Sequence, residues 1–179
     1  WIKNASDEKS IVDQMRKGAD ATVKATTSRG TQTIDTFSLK GIAQALDRAD
    51  LIVVAPSNPM VSIAPILAVG GMRDAIRAAR KRGVRVVGVS PIVGGKALKG
   101  PADRMLGAAK LPASPVGVVR ALPGLFDTII VEESDLTPEL RAELAPLVEA
   151  VIGAPIVMHD DAARLDLALR VVRAGGSEA

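Results

Sequence analysis

The stretch 51–103, LIVVAPSNPMVSIAPILAVGGMRDAIRAARKRGVRVVGVSPIVGGKALKGPAD, constrains the fold more than any other part of the chain. It holds two continuous apolar runs, Leu51-Ile52-Val53-Val54 and the valine-rich 84–89. Runs of this length without polar alternation suit strands buried on both faces, as in a parallel sheet. Each run breaks into a loop of Pro, Ser, Asn and Gly. The first loop is Ala55-Pro56-Ser57-Asn58-Pro59; the second is Ser90-Pro91-Ile92-Val93-Gly94-Gly95-Lys96, followed by Lys99-Gly100-Pro101. Two such loops at the carboxyl ends of neighbouring parallel strands make a ligand crevice.

The flanking segments extend the alternation. Residues 38–49 read as a helix capped by Ser38, with Leu39, Ile42, Ala45, Leu46 and Ala49 at helical spacing. Residues 63–69 form a short helix or turn, and 71–82 a helix stopped by Gly83. Helices are also expected over 101–109 and 114–122, a buried strand over 128–131, and a helix opening with Thr137 as cap and Pro138 in its first turn. A last strand is expected over 154–158. The closing helix, 160–172, should turn Leu165, Leu169 and Val172 inward. This order predicts an α/β, Rossmann-like fold with a mostly parallel sheet and helices on both faces. Residues 1–30 stand apart as a polar amino-terminal segment, with a helix starting near Ser6 and stopping near Gly18, then a loop over 26–30; the α/β domain takes 31–179.

Composition removes several classes of function. The 179 residues fit one domain with a real core, 47% of them hydrophobic. With one Trp, two Phe and no Tyr, the chain lacks the rings that stack on single-stranded nucleic acid. Net charge is +3, and the densest basic cluster, 77–82, reads as a solvated helix end rather than a polyanion site. The absence of cysteine excludes disulfides, thiolate catalysis and Cys-ligated zinc, and one histidine excludes a multi-His metal site. No apolar run approaches about 18 residues, and WIKNASDEKS lacks a signal-peptide pattern. The expectation is a soluble, cytoplasmic protein. A start at Trp1 rather than Met makes a piece of a longer protein the expectation.

Both loops carry residues suited to binding. Gly94 and Gly95 can let backbone N–H groups converge on an anion, and Lys96 and Lys99 add compact positive charges, with Ser90 a hydroxyl. The pattern is neither a Walker loop nor a dinucleotide fingerprint, so a phosphate cradle stands beside an ordinary connection with glycines at positive φ. In the first loop two prolines stiffen the backbone around Ser57 and Asn58, and Ser62 follows. These are hydrogen-bonding fingers, or else Asn58 and Ser62 cap the next turn. His159 beside Asp160 and Asp161 invites a general-base reading, but a helix cap at Asp160 with an exposed His159 is the stronger one. Glu132, Glu133 and Asp135 could supply a metal ligand, but more simply cap the helix near Thr137.

Taken whole, the motifs are similar to those of a known family. Ala55-Pro56-Ser57-Asn58-Pro59, Ser62-Ile63 and Pro65-Ile66-Leu67 resemble the first signature of the 2-phospho-L-lactate transferases, and Ser90 through Ala102 resembles the second. The spacing between them fits, and Val157-Met158-His159-Asp160-Asp161-Ala162-Ala163 resembles the family's closing segment. The likeness runs over about residues 38–173. A sister group of gluconeogenesis and cell-shape regulators carries a different sequence at the first loop, and Pro-Ser-Asn-Pro here favours the transferase branch.

The resemblance implies an activity. The family moves a phosphorylated three-carbon acid, lactyl or enolpyruvyl, from a guanosine diphosphate carrier onto the deazaflavin alcohol Fo. GMP leaves, coenzyme F-420 is built, and magnesium (Mg2+) is required. A homodimer is implied as well. Ser90, Gly94, Gly95, Lys96 and Lys99 would then hold the diphosphate, with Ser57, Asn58 and Ser62 lining the same crevice. The family's glycine-rich loop, and the aspartates that hold metal and Fo, have no counterpart in this sequence, so the resemblance assigns no metal ligand and no catalytic residue. The alternative reading is a truncated, non-catalytic nucleotide-binding or scaffold module of the same fold.

Overall fold

The computed structural model describes residues 20–26, 32–38 and 42–176, with side chains from residue 45 onward. The expected helix over 6–18 and most of the loop over 26–30 lie outside the described residues. The structure divides into two units: one holds the described residues up to Arg48 together with Ile66–Ala79, the other Ala49–Pro65 and Arg80 onward.

In the first unit, β1 (Asp20–Thr26) and β2 (Gln32–Ser38) form an antiparallel hairpin. The sequence reading placed no strand here. Yet Ala21, Val23 and Ala25 alternate with Asp20, Thr22, Lys24 and Thr26, which is the period-2 signal of a half-exposed strand. Ser38 therefore ends β2 instead of capping a helix, and α1 starts later, at Ile42–Arg48. The same unit holds the end of α2 (Ala64–Ala68) and most of α3 (Met72–Lys81). Met72, Ile76 and Ala79 are buried along one face of α3, and Arg77 pairs with Asp74 on the other. Gly83, at φ +92, ends this helix region where an L-residue would be strained.

The second unit is built on a four-stranded parallel sheet ordered β3 (Leu51–Val54), β4 (Arg85–Val89), β7 (Thr128–Glu132), β8 (Ala150–Ala154). Between β4 and β7 lie a two-stranded ribbon, β5 (Ile92–Val93) and β6 (Lys96–Ala97), then α4 (Ala102–Ala108) and α5 (Pro115–Ala121). Helix α6 (Pro138–Leu144) joins β7 to β8, and α7 (Asp161–Ala174) closes the chain. Val87, Val89 and Ile130 point to one face and pack with Leu167 and Val171 of α7. Ile129 and Gly88 point to the other, where Phe126 fills the space beside Gly88 and Leu136 that beside Gly153. Both faces are thus covered along β4 and β7; the expected two-sided burial fails for β3, an edge strand with no buried residue and Val53 50% exposed.

Two expectations need correction. The last strand is Ala150–Ala154, not 154–158. Pro155 has no N–H for a ladder, and Ile156 N–H instead donates to Glu132 Oε2 at 3.0 Å, so 155–158 is an irregular link across the sheet's carboxyl end. On α7, Leu167 and Val171 face the core, while Leu165 is 62% and Leu169 37% exposed. The helix carries two apolar stripes. The buried one contains Leu167 and Val171, with Ala174 and Leu51 packed against it, and Gly175 leaves room for Leu51; a Cβ there would sit 2.4 Å from Leu51 Cδ1.

The caps behave as read. Asp160 Oδ1 accepts from Ala163 N–H at 2.7 Å and Thr137 Oγ1 from Leu140 N–H at 3.2 Å. The Glu139 backbone N–H, and then the Thr137 hydroxyl, hold the exposed Glu139 carboxyl below its ordinary pKa. A depressed carboxyl pKa stabilises the fold above the unfolded-state pKa, and that contribution fades as pH falls through the folded-state value. Thr137→Ala should cost about 1 kcal/mol through the lost cap. In an NMR titration of the side-chain carboxyl it should also move the Glu139 midpoint upward, toward the ordinary glutamate range.

Candidate functional site

Both motif loops leave the carboxyl ends of adjacent parallel strands, β3 and β4, which pair from Leu51↔Arg85 to Val54↔Gly88. Between them opens a crevice of about 570 Å³. The first loop contributes Pro56, Ser57, Asn58, Val61 and Ser62, and the second Pro91, Leu98, Lys99, Gly100 and Pro101. The link after β8 adds Val157 and Met158. Its volume lies in the range of small-molecule sites, and its place at strand ends is where open α/β sheets bind ligands.

The first loop is shaped by Asn58. Its Oδ1 accepts from Met60 N–H at 2.9 Å and Val61 N–H at 3.3 Å, capping a π-helical turn over Pro59–Ile63 that continues into α2. Its carbonyl accepts from Ser62 and Ile63 N–H, both at 3.1 Å, the second being the wide i→i−5 spacing of a π-turn. Asn58 Nδ2 donates to Met105 Sδ at 3.3 Å. Asn58 borders the crevice, but its amide is occupied in building the loop, which leaves Ser57 and Ser62 as the hydroxyls of this wall.

The second loop divides in two. Ser90 is fully buried, and its Oγ accepts from Ile92 N–H and donates to Ile92 O, both at 3.1 Å, making a closed turn under the ribbon. Gly94 and Gly95 have φ of +57° and +77°, the two positive values that a two-residue hairpin turn requires. Gly94 N–H donates to Asp135 Oδ2 at 2.7 Å, so a carboxylate already holds a donor expected to face an anion. Gly94, Gly95 and Lys96 thus lie at the tip of the β5–β6 ribbon, outside the crevice lining. Lys99 and Gly100 line it directly: Leu98 N–H donates to Pro91 O at 3.0 Å, which turns the chain back along the crevice. Lys99 is the one charged residue among the lining residues.

The acidic turn is spent on structure, though not as helix caps. Glu132 receives Ile156 N–H, Asp135 receives Gly94 N–H, and Thr137 does the capping. Among the described residues no cluster of His, Asp or Glu could hold a metal. His159 is exposed, with Nε2 3.3 Å from Asp160 Oδ2 and Nδ1 3.2 Å from Val157 O, while Asp160 caps α7. In the basic cluster, Arg80 departs from the solvated reading by donating to Gly124 O and pairing with the buried Asp127. No single helix among the described residues is long and apolar enough to cross a membrane.

The structure therefore brings Ser57, Asn58, Ser62 and Lys99 together and sets Ser90, Gly94, Gly95 and Lys96 beside them in supporting positions. Residue-by-residue reading did not single out Val61, Leu98, Val157 and Met158. Val61 and Leu98 each precede a polar lining residue, Ser62 and Lys99, whereas Val157 and Met158 stand side by side in the link after β8.

Comparison with known proteins adds a family. The model described as 2-phospho-L-lactate transferase CofD matches residues 3–174, and so begins within the amino-terminal stretch that the quoted motifs do not reach. Among curated relatives, a 2-phospho-L-lactate transferase of Methanothermobacter thermautotrophicus is 33% identical over 62% of this chain and 34% of its own length. A phosphoenolpyruvate transferase of Streptomyces griseus is 38% identical over 70% of this chain and 41% of its own. One of Mycobacterium avium is 38% identical over 69% and 35%. The chain spans roughly a third to two fifths of the length of these relatives, 34% to 41%. Among solved structures, a UPF0052 family member from Bacillus halodurans aligns over 81% of this chain and 57% of that one, with a TM-score of 0.45 and 17% identity.

Proposed function

The chain belongs to the 2-phospho-L-lactate transferase CofD family, and from that premise we propose that it takes part in coenzyme F-420 biosynthesis. In this reading it transfers a phospholactyl or phosphoenolpyruvyl group from a guanosine diphosphate carrier to Fo and releases GMP. The observation that carries the reading is the crevice between the two motif loops, where Ser57, Ser62 and Lys99 face one space at the ends of β3 and β4.

Phosphoryl-type transfer asks a protein chiefly for positioning and charge neutralisation. Lys99 supplies a compact cation for the diphosphate, and its flexible stem lets it follow charge moving onto the leaving GMP. Ser57 and Ser62 supply hydroxyls that can donate to phosphoryl or ribose oxygens. Asn58 fixes where both serines stand. Ser90, Gly94 and Gly95 hold the ribbon that delivers Lys99, and Lys96 adds positive potential from the ribbon tip. A bound magnesium ion would neutralise diphosphate charge. The crevice lining offers hydroxyls and an ammonium but no carboxylate, so these residues do not themselves make the oxygen-rich site that magnesium requires, and no step is assigned to the metal here. A cytoplasmic homodimer completes the reading, and sedimentation of the purified chain checks the second half of it.

Titration calorimetry tests the assignment. Lys99→Ala should weaken GDP binding about tenfold, the worth of one charge-assisted contact, and leave Fo binding nearly unchanged. Lys96→Ala should have a much smaller effect. Unchanged GDP affinity in Lys99→Ala would remove the diphosphate from this wall. GDP binding with no GMP released from the loaded carrier in the presence of Fo would reduce the chain to a nucleotide-binding module.

A further inference from the structure

A second cavity, of about 430 Å³, opens at the other end of the sheet, where β4 begins. Arg80, Gly83, Val84, Arg85, Asp127 and Glu149 line it. Arg85 opens β4 and Val89 closes it, and the cavity shares no lining residue with the crevice. Two guanidiniums thus border one concavity, and each is met by a carboxylate: Arg80 by Asp127, Arg85 by Glu149. The two pairs are not alike. The Asp127 side chain is 5% exposed and both its oxygens are committed, Oδ1 to Arg80 and Oδ2 to Val86 N–H. The Glu149 side chain is 63% exposed and meets Arg85 alone among the described residues, with Arg85 itself 46% exposed. An exposed ion pair of this kind holds weakly and exchanges readily. Donors also remain. A guanidinium carries five N–H groups; Arg80 uses two, on Gly124 O and Asp127, and Arg85 one, on Glu149.

We propose that this cavity is an oxyanion site for a small phosphate- or carboxylate-bearing ligand, with the Glu149 carboxylate occupying the place on Arg85 that the ligand's oxygens would take. The planar fork of a guanidinium matches two oxygens of either group. The chain itself carries this chemistry at the same edge, since Asp127 is an oxyanion seated between Arg80 and a buried backbone N–H. With Glu149 in place the lining is neutral. With Glu149 turned to solvent, Arg80 and Arg85 against Asp127 leave one positive charge for the ligand. The last carbonyls of a helix oppose an anion, but Gly83 N–H takes Arg80 O at 2.9 Å, and Lys81 and Arg82 add positive charge beside Arg80. The volume, within the range of small-molecule sites, holds a single phosphate or a short dicarboxylate with room to spare. The inference does not rest on the transferase reading.

Amide NMR of the full chain, titrated with inorganic phosphate and separately with succinate, tests the site. Lys99→Ala is the parent throughout, so that the crevice's cation is removed. The amide signals of Gly83, Val84 and Arg85 should shift and saturate. Adding Arg85→Gln should weaken binding about tenfold, the loss of a charge-assisted contact. Adding Glu149→Gln should instead tighten it about two- to fivefold, because Arg85 loses its internal competitor. Arg85→Lys keeps the charge without the fork and should fall between Arg85→Gln and the parent. Both side chains are exposed, and thermal melts check that every variant stays folded. Tighter binding of phosphate names a phosphate-bearing ligand, and tighter binding of succinate a carboxylate. No saturable shift at these amides, binding indifferent to Arg85→Gln, or a Glu149→Gln chain that binds no more tightly than its parent would overturn the proposal. GDP binding in the crevice of the wild-type chain is a separate measurement, so the transferase reading stands or falls apart from this one.

Discussion

Asp127→Ala should destabilise the protein by about 3 kcal/mol, a drop of roughly 6–12 °C in Tm for a chain of this size. The residue stands where β4 and β8 begin and α3 ends, and it holds all three. Its Oδ2 accepts from the buried Val86 N–H at 2.7 Å, one residue before the β4–β7 ladder starts at Val87↔Thr128. Its Oδ1 pairs with Arg80, which also donates to Gly124 O. Its backbone O accepts from Glu149 N–H at 2.9 Å and Ala150 N–H at 3.1 Å. Alanine keeps the backbone contacts but leaves the buried Val86 N–H without its acceptor and takes the carboxylate from the Arg80 guanidinium, which keeps Gly124 O. An unmade buried bond costs more than a made one contributes. Asp127→Asn retains an acceptor for Val86 and loses only the charge, so it should lie between wild type and alanine. Thermal melts of the three proteins provide the check, and equal Tm values for alanine and wild type would mean that water replaces the carboxylate there. The ligand crevice lies at the opposite ends of these strands, so GDP affinity of the folded fraction should not change.

The contrast between Asp127 and the crevice shows what a linear reading can reach. Strands β3, β4 and β7 were legible because each is an uninterrupted apolar run between turn residues, and α3, α6 and α7 because Gly83, Thr137 and Asp160 mark their ends chemically. Strand β8 was displaced because Gly153 interrupts its apolar run, and nothing local says that the glycine makes room for Leu136. The buried face of α7 was misread because either of two leucine stripes satisfies helical periodicity, and the sheet beneath makes the choice. At the site, the two loops could be located from strand ends and motif residues. The role of each residue could not, since it depends on what folds against it: Asn58 meets Met105, Gly94 meets Asp135, and Ser90 closes on Ile92. The apolar lining residues Val61, Leu98, Val157 and Met158 lie furthest from sequence reach, because they meet only after three loops converge.

The same dependence makes Gly117→Ala the second large effect, about 3 kcal/mol or more, for a substitution that helix propensity alone would favour. Gly117 lies buried in the first turn of α5, where a Cβ would sit 1.9 Å from Pro112 O and 3.0 Å from Pro112 C. That carbonyl is backbone and already accepts from Ser114 N–H at 2.9 Å, so it cannot yield as a flexible side chain would. Relief requires α5 to back away from the 112–114 turn. Helix α5 carries Val118, which packs with Ile92, Ala102 and Leu106 into the small core beneath the β5–β6 ribbon and α4. Ile92 opens the ribbon and Ala102 opens the helix that follows Lys99-Gly100-Pro101, so a shift of Val118 reaches the charged wall of the crevice through packed side chains. Gly117→Ala should therefore lower Tm and, in the fraction that stays folded, weaken GDP binding as well. Gly107→Ala, where a Cβ meets nothing within 4 Å, should do neither. The paired measurement separates a local clash from a general sensitivity of these helices to alanine. A Gly117→Ala protein as stable as wild type would show that the turn at Pro112 moves freely and does not brace the ribbon.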